Sequence, residues 1–146
     1  FLAEQPKDTL VASVVNEVNN LPTFAQRSIY IGREYAITYH SGYYSQFREK
    51  AIALIQAQYT PDLEELKTFI QSSGVDYWIL DRKAYDADYV AEIWIKQYLP
   101  EVEDTLDKIR QGNAPALANI PKRCTVFTER RLKVIDTACI LTRKQK

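Results

Sequence analysis

The stretch Leu63-Glu-Glu-Leu66-Lys-Thr-Phe69-Ile70-Gln-Ser-Ser-Gly74-Val75-Asp-Tyr-Trp-Ile-Leu80 decides the fold class. Leu63, Leu66, Phe69 and Ile70 recur at the spacing of one helix face. Gly74 then supplies a helix stop, and an almost continuous apolar run follows at once. A helix, a glycine and a strand buried on both faces, in that order, are the signature of a crossover between parallel strands. Just upstream, Thr60-Pro61-Asp62 reads as the helix start, with Thr60 as cap, Pro61 at the first helical position, and Asp62, Glu64 and Glu65 at the positive end of the helix dipole.

Working outward, Thr9 to Val15 is β-branched and apolar and reads as a first strand, while Ser28-Ile29-Tyr30-Ile31 before Gly32 reads as a second. Between them lies a polar connection with a helical turn near Pro22. Phe47, Ala51, Leu54 and Ile55 mark the buried stripe of a helix from Tyr44 to Tyr59. Asp86 caps a further helix carrying Val90, Ile93, Trp94 and Tyr98, and Val102, Leu106 and Ile109 carry another, closed by Gly112. Cys124–Thr128 and Lys133–Leu141 read as the two strands of a terminal hairpin turning at Arg131-Leu132. The expected architecture over residues 1–146 is one α/β domain: a small, mostly parallel sheet flanked by helices, with a C-terminal antiparallel β-hairpin.

Composition narrows the function classes. Hydrophobic residues make up 46% and charged residues 26%, which is globular rather than disordered. Nineteen bases balance nineteen acids, so bulk charge gives no case for nucleic acid. Only four glycines are present, which leaves no Gly-rich phosphate cradle. No apolar run approaches the roughly 20 residues of a membrane span. Two cysteines and one histidine cannot form a four-ligand zinc site, and neither a metal nor a cofactor is expected. The chain contains no Met and begins Phe1-Leu2-Ala3-Glu4, so a segment of a longer protein is expected.

Three features carry functional expectations. A hairpin turning at Arg131-Leu132 sets Cys124 directly opposite Cys139, and facing residues at a non-hydrogen-bonded pair lie ~4.5 Å apart at Cα, within disulfide range. The pair therefore reads as a disulfide, which implies an oxidising compartment, or as two small core residues. Second, Tyr30, Tyr35, Tyr39, His40, Tyr43 and Tyr44 cluster around the single histidine. They read as the wall of a sugar- or ring-binding pocket with His40 as proton carrier, or as rings packed at a helix start with wet hydroxyls. Third, Asn16 and Asn20 follow the first strand, and Asp81-Arg82 the third. If those strands are neighbours, the four residues surround one crevice at the carboxyl ends of a parallel sheet, where ligands bind in open α/β folds. The alternative is a local Asp81–Arg82 ion pair and asparagines that merely turn the chain.

Charge is unevenly arranged. Residues 62–107 hold twelve acids and four bases, whereas residues 121–146 hold eight bases and two acids. The basic end reads as a solvated hairpin and tail or as a surface for anionic lipid headgroups or a phosphorylated partner.

Several segments resemble a known family. Pro6-Lys-Asp-Thr-Leu-Val-Ala12, Asn19-Asn-Leu-Pro-Thr-Phe-Ala-Gln-Arg27, Tyr39-His-Ser-Gly-Tyr-Tyr44, Gly74 to Arg82 and Cys124 to Cys139 are similar to C-terminal extracytoplasmic domains of bacterial, notably cyanobacterial, polytopic membrane proteins of the glycosyltransferase-C type. The resemblance spans most of the chain. It implies a domain on the periplasmic face of the membrane, tethered to the transmembrane portion of its own parent chain and accessory to lipid-linked sugar transfer. The donor- and metal-binding acids of such enzymes sit mainly on loops between membrane helices, so no catalytic residue carries over to this sequence. The alternative expectation is an independent small-ligand-binding or regulatory α/β domain, and the third a free-standing enzyme with His40 and Asp81 in acid–base roles.

Overall fold

In the computed structural model, which describes residues 1–35, 41–98 and 100–142, five strands form one mixed sheet. The strands are β1 (Leu10–Ala12), β2 (Ser28–Ile29), β3 (Tyr77–Asp81), β4 (Thr125–Glu129) and β5 (Leu132–Asp136), in the order β2-β1-β3-β5-β4. β1 pairs in parallel with β2 and with β3, while β5 runs antiparallel to β3 and to β4. The helices are α1 (Leu21–Phe24), α2 (Ser41–Tyr59), α3 (Leu63–Ser73), α4 (Ala87–Glu92), α5 (Glu101–Arg110) and α6 (Thr137–Leu141). The expected α/β architecture, with a parallel core and an antiparallel hairpin at one edge, is the one observed.

The two faces of the sheet are covered unequally. Ala12, Trp78, Leu80 and Ile135 point to the face packed by α2, α3, α4, α5 and α6, where most of the core lies. Val11, Ile79 and Val134, the alternate residues, point to the other face, where Val15, Val18, Leu2 and Leu21 from outside the strands join them. Trp78 is fully buried in the large core and donates from Nε1 to Gln58 Oε1 at 3.0 Å, so its polar edge is satisfied.

Local chemistry explains where elements end. Gly74 adopts φ 69°, and its N–H donates to Ile70 O at 3.0 Å, closing α3 in the left-handed conformation that glycine tolerates without a Cβ penalty. At the start of α3, Asp62 rather than Thr60 is the cap, accepting from Glu64 N at 2.8 Å. Thr60 stands one step further out, accepting from Asp62 N and donating to Glu65. β1 is shorter than its apolar run, because Ser13 Oγ donates to Ile79 O and replaces the main-chain ladder with a side-chain bond. The helix begun by Asp86 stops at Glu92; Ile93 is extended, and Trp94–Gln97 form a 3-10 turn that brings Trp94 Nε1 within 2.7 Å of Val14 O.

The C-terminal region differs most from expectation. The hairpin turns at Arg130-Arg131, with Glu129 opposite Leu132, one residue earlier than its apolar pattern implies. Arg130 takes a left-handed φ of 53° there. β5 then ends at Asp136, whose side chain caps α6 by accepting from Ala138 N, so residues 137–141 are helix rather than strand. Cys124 and Cys139 do form a disulfide, with Cα atoms 5.4 Å apart. The bond joins the 3-10 turn before β4 to α6, and not two facing strand residues.

Candidate functional site

From β1 the chain passes to β2 on one side and, by way of α2 and α3, to β3 on the other. The connection therefore reverses between β1 and β3, and the carboxyl ends of these strands open a crevice at a topological switch point. Ser13 stabilises its floor: Oγ donates to Ile79 O at 2.8 Å and accepts from Val15 N at 3.1 Å, turning the chain out of β1.

Asp81, the last residue of β3, is buried there. Its Oδ1 accepts from Lys83 N at 2.8 Å, and Oδ2 lies 3.1 Å from Arg131 Nε. Arg131 extends from the hairpin turn and also pairs with Glu17, which follows β1. Tyr89 of α4 completes the cluster; its phenol is pushed up, first by burial and then by the charge of Asp81, with Arg131 opposing. Glu17 and then Asp81 hold the Arg131 guanidinium still more firmly charged. Four groups from four segments are thus tied together at the strand ends.

Beside this network lies a cavity of about 510 Å³. Asn16, Arg33, Tyr89, Glu92, Lys96 and Gln97 supply its polar lining, and Ile93 and Trp94 its apolar part. Two cations, one carboxylate and two side-chain amides can bind and orient a small polar molecule. Among the described residues no cluster of three or more His, Cys, Asp or Glu is arranged to hold a metal ion.

The residues expected at this crevice separate in the structure. Asn16 lines the cavity, and Asp81 reaches it through Tyr89. Asn20 is exposed just before α1 and is not among the lining residues. Arg82 is exposed; only its main-chain N–H takes part, donating to Arg131 O at 2.7 Å. The cation on Asp81 is therefore Arg131 and not its sequence neighbour Arg82. Tyr39 and His40 lie outside the described residues. Of the tyrosine cluster, Tyr30 and Tyr43 line a second cavity, at the β2 edge.

No protein-family model matches the chain, and no curated protein is similar enough to it to show kinship. The geometry of these two cavities, the disulfide and the charge arrangement consequently carry the functional argument. Glu17, Arg33, Tyr89, Trp94 and Arg131 are the site residues that sequence reasoning missed. Arg33 alone had a local signal, as a cation directly after the second strand. Arg131 reaches the crevice through the hairpin register and Trp94 through the break after α4, while Tyr89 lies on α4 itself and Glu17 in the 3-10 turn that follows β1.

The disulfide bears on compartment. Cys124 is fully buried, Cys139 partly so, and no free cysteine accompanies them. Such bonds persist in oxidising, non-cytoplasmic environments. Among the described residues no helix is long and apolar enough to cross a membrane.

Proposed function

We propose that this chain is an extracytoplasmic domain of a polytopic membrane protein, held at the periplasmic face, without a reaction of its own and accessory to lipid-linked sugar handling by the membrane-embedded part. The observation that carries this reading is the Cys124–Cys139 disulfide, which joins the only two cysteines and ties the turn before β4 to α6. The resemblance of the Asn19–Arg27 and Gly74–Arg82 segments to domains of glycosyltransferase-C-type proteins supplies the membrane context. Surface chemistry agrees with it. Phe1, Val126 and Phe127 are exposed together on the hairpin side, with Phe1 stacked on Phe127 at 5.5 Å, and Lys122, Arg123, Arg130 and Lys133 lie exposed on the same segment. Exposed apolar side chains on a segment that also exposes cations suit the interface of a bilayer bearing anionic headgroups.

The experiment is alkylation of thiols before lysis in cells that make the protein from its native gene, followed by titration of the unfolded, unreduced chain. No reactive thiol is the expected result, and two reactive thiols overturn the reading. The gene segment encoding residues ahead of Phe1 should contain repeated apolar stretches of ~20 residues.

A second reading, an independent small-ligand-binding or regulatory domain, is favoured by the strand-end cavity at the switch point. Under that reading Arg33→Ala and Lys96→Ala weaken binding of small anionic metabolites measured by calorimetry. Unchanged affinity in both variants removes it.

A further inference from the structure

Three segments wall the strand-end cavity: the 3-10 turn Asn16–Asn20 after β1, the 3-10 turn Arg33–Tyr35 after β2, and the chain that leaves α4. Asn19 Oδ1 accepts from Glu34 N at 3.4 Å and ties the first two turns together. Both turns follow parallel strands, so Asn16 and Arg33 come to the same end of the sheet. The third segment is anchored from inside. Trp94 is only 8% exposed, its Nε1 donates to Val14 O at 2.7 Å, and its ring stands edge-on to Tyr98 with centroids 5.9 Å apart. With Ile93 beside it, the indole gives the cavity one fixed apolar wall.

The charges around that wall are of both signs. Arg33, Lys96 and Glu92 all line the cavity and are exposed. Glu92 and Lys96 stand four residues apart, acid first, the spacing and order that favour an ion pair on a helix. They form none, because α4 ends at Glu92 and the extended Ile93 takes Lys96 off the helix. By contrast Lys108, Arg110 and Arg131, also exposed, each meet an acid. Among the described residues no ion pair or side-chain hydrogen bond engages Arg33, Glu92 or Lys96, nor the amides of Asn16 and Gln97.

Two cations, one carboxylate and two unengaged amides thus share one space beside a fixed apolar surface. The molecule that matches them group for group carries two carboxylates and one ammonium on a short carbon chain. A simple dianion would set its charge against Glu92, and an amino acid with an uncharged side chain would leave one cation unmatched. We infer that this cavity binds a dicarboxylic α-amino acid, with its carboxylates on Arg33 and Lys96, its ammonium on Glu92 and its methylenes against Ile93 and Trp94. The Asn16 and Gln97 amides, each both donor and acceptor, serve either kind of group. At about 510 Å³ the cavity admits such a molecule with room for bridging water. The inference names the ligand for the small-ligand-binding reading of this chain and rests on that reading.

The test is calorimetric titration of the 146-residue chain with glutamate, glutamine and glutarate. Glutamine lacks the second carboxylate and glutarate lacks the ammonium. Saturable binding of glutamate is expected, at least about tenfold tighter than that of either relative. Glu92→Gln should lower glutamate affinity about tenfold and leave glutarate affinity unchanged or raised, because only glutamate brings an ammonium to that side chain. Thermal unfolding of the variant should match the parent, since Glu92 has no side-chain partner among the described residues. Glutarate binding as tightly as glutamate, with both weakened in Arg33→Ala, would overturn the proposal and leave the small-ligand reading standing. Absence of saturable glutamate binding, or full glutamate affinity in Glu92→Gln, would overturn it as well. The small-ligand reading fails separately, when no small anion responds to Arg33→Ala or Lys96→Ala.

Discussion

Removing the disulfide by the double substitution Cys124→Ala/Cys139→Ala tests how the C-terminal region is held. The bond closes a loop of sequence separation 15. In the chain-entropy model a loop of that size stabilises the folded state by about 3 kcal/mol, by restricting the unfolded chain. The native contacts that remain around α6 are few but well placed. Thr137 Oγ1 lies 2.6 Å from Val75 O and 2.8 Å from Asp76 O, Asp136 caps the helix, and Ile140 is fully buried. A five-residue helix is not stable alone, so these contacts must keep α6 docked once the bond is gone. With a urea m-value of roughly 1.5–2 kcal/mol/M, a loss of about 3 kcal/mol lowers the unfolding midpoint by roughly 1.5–2 M. The assay is urea unfolding of both proteins followed by tryptophan fluorescence, since Trp78 and Trp94 sit in the main core, with hydrogen exchange on α6 in parallel. A midpoint within about 0.2 M of the parent would refute the loop-entropy reasoning. Fast exchange confined to α6 with an unchanged midpoint would show that the bond acts locally and that the Thr137 and Ile140 contacts do not suffice.

The other predictions concern buried polar groups. At the strand ends, Asp81→Ala should cost about 2–3 kcal/mol, because it strips a buried charged acceptor from Lys83 N and Arg131, whereas Glu17→Ala should cost less than about 1 kcal/mol because that pair is solvated on both sides. Equal losses in urea midpoints would contradict this division. The Tyr85 hydroxyl is buried with no hydrogen-bond partner among the described residues, so Tyr85→Phe should leave thermal stability unchanged or raise it by up to about 1 kcal/mol; a clear loss would mean that the hydroxyl is satisfied. Burial also pushes the phenols of Tyr59 and Tyr85 up, and that of Tyr98 to about 12. Their folded-state values lie above the ordinary 10, so the stability from neutral phenols is whole below pH 10 and is lost as pH rises through the folded-state values, by up to ~1.4 kcal/mol per unit for each tyrosine. The share of the phenolate absorbance that belongs to these three should therefore appear only with unfolding above pH 10; their smooth titration in a still-folded chain would contradict it.

Local signals carried most of the fold. Gly74 after the Leu63–Ile70 stripe and before Val75 defines α3, its stop and β3 without help from distant residues, and the parallel neighbours β1 and β3 follow from that crossover. The hairpin shows where local signals fail. Its two apolar runs are compatible with more than one turn, and the observed turn uses Arg130 at positive φ, a conformation that an arginine does not advertise. The run Val134–Leu141 is β-branched and apolar, which hides the Asp136 cap that switches it from strand to helix. The cysteines nevertheless meet, because both the strand register expected and the turn-to-helix packing observed bring residues 124 and 139 to the same end of the hairpin. Asp81 was legible as a strand-end carboxylate. Its partner Arg131 was not, because a one-residue change of hairpin register decides whether that side chain reaches β3.

The same register has a consequence for function. Arg131 lies within ion-pair distance of Asp81, and Lys83 N–H occupies its other oxygen, so the one buried carboxylate of the described strand ends is tied into the structure. What faces the strand-end cavity instead is Arg33, Lys96, Glu92 and two amides, and what faces the β2-edge cavity is Lys50, Arg27 and two tyrosines. Both sets present fixed charges and hydrogen-bonding groups. They are also joined, because Ile31 and Gly32 line one cavity and Arg33 the other, on a single connection leaving a two-residue edge strand. A strand that short is anchored to the sheet chiefly by the N–H groups of Ser28 and Tyr30, so filling either cavity rigidifies the segment that borders both.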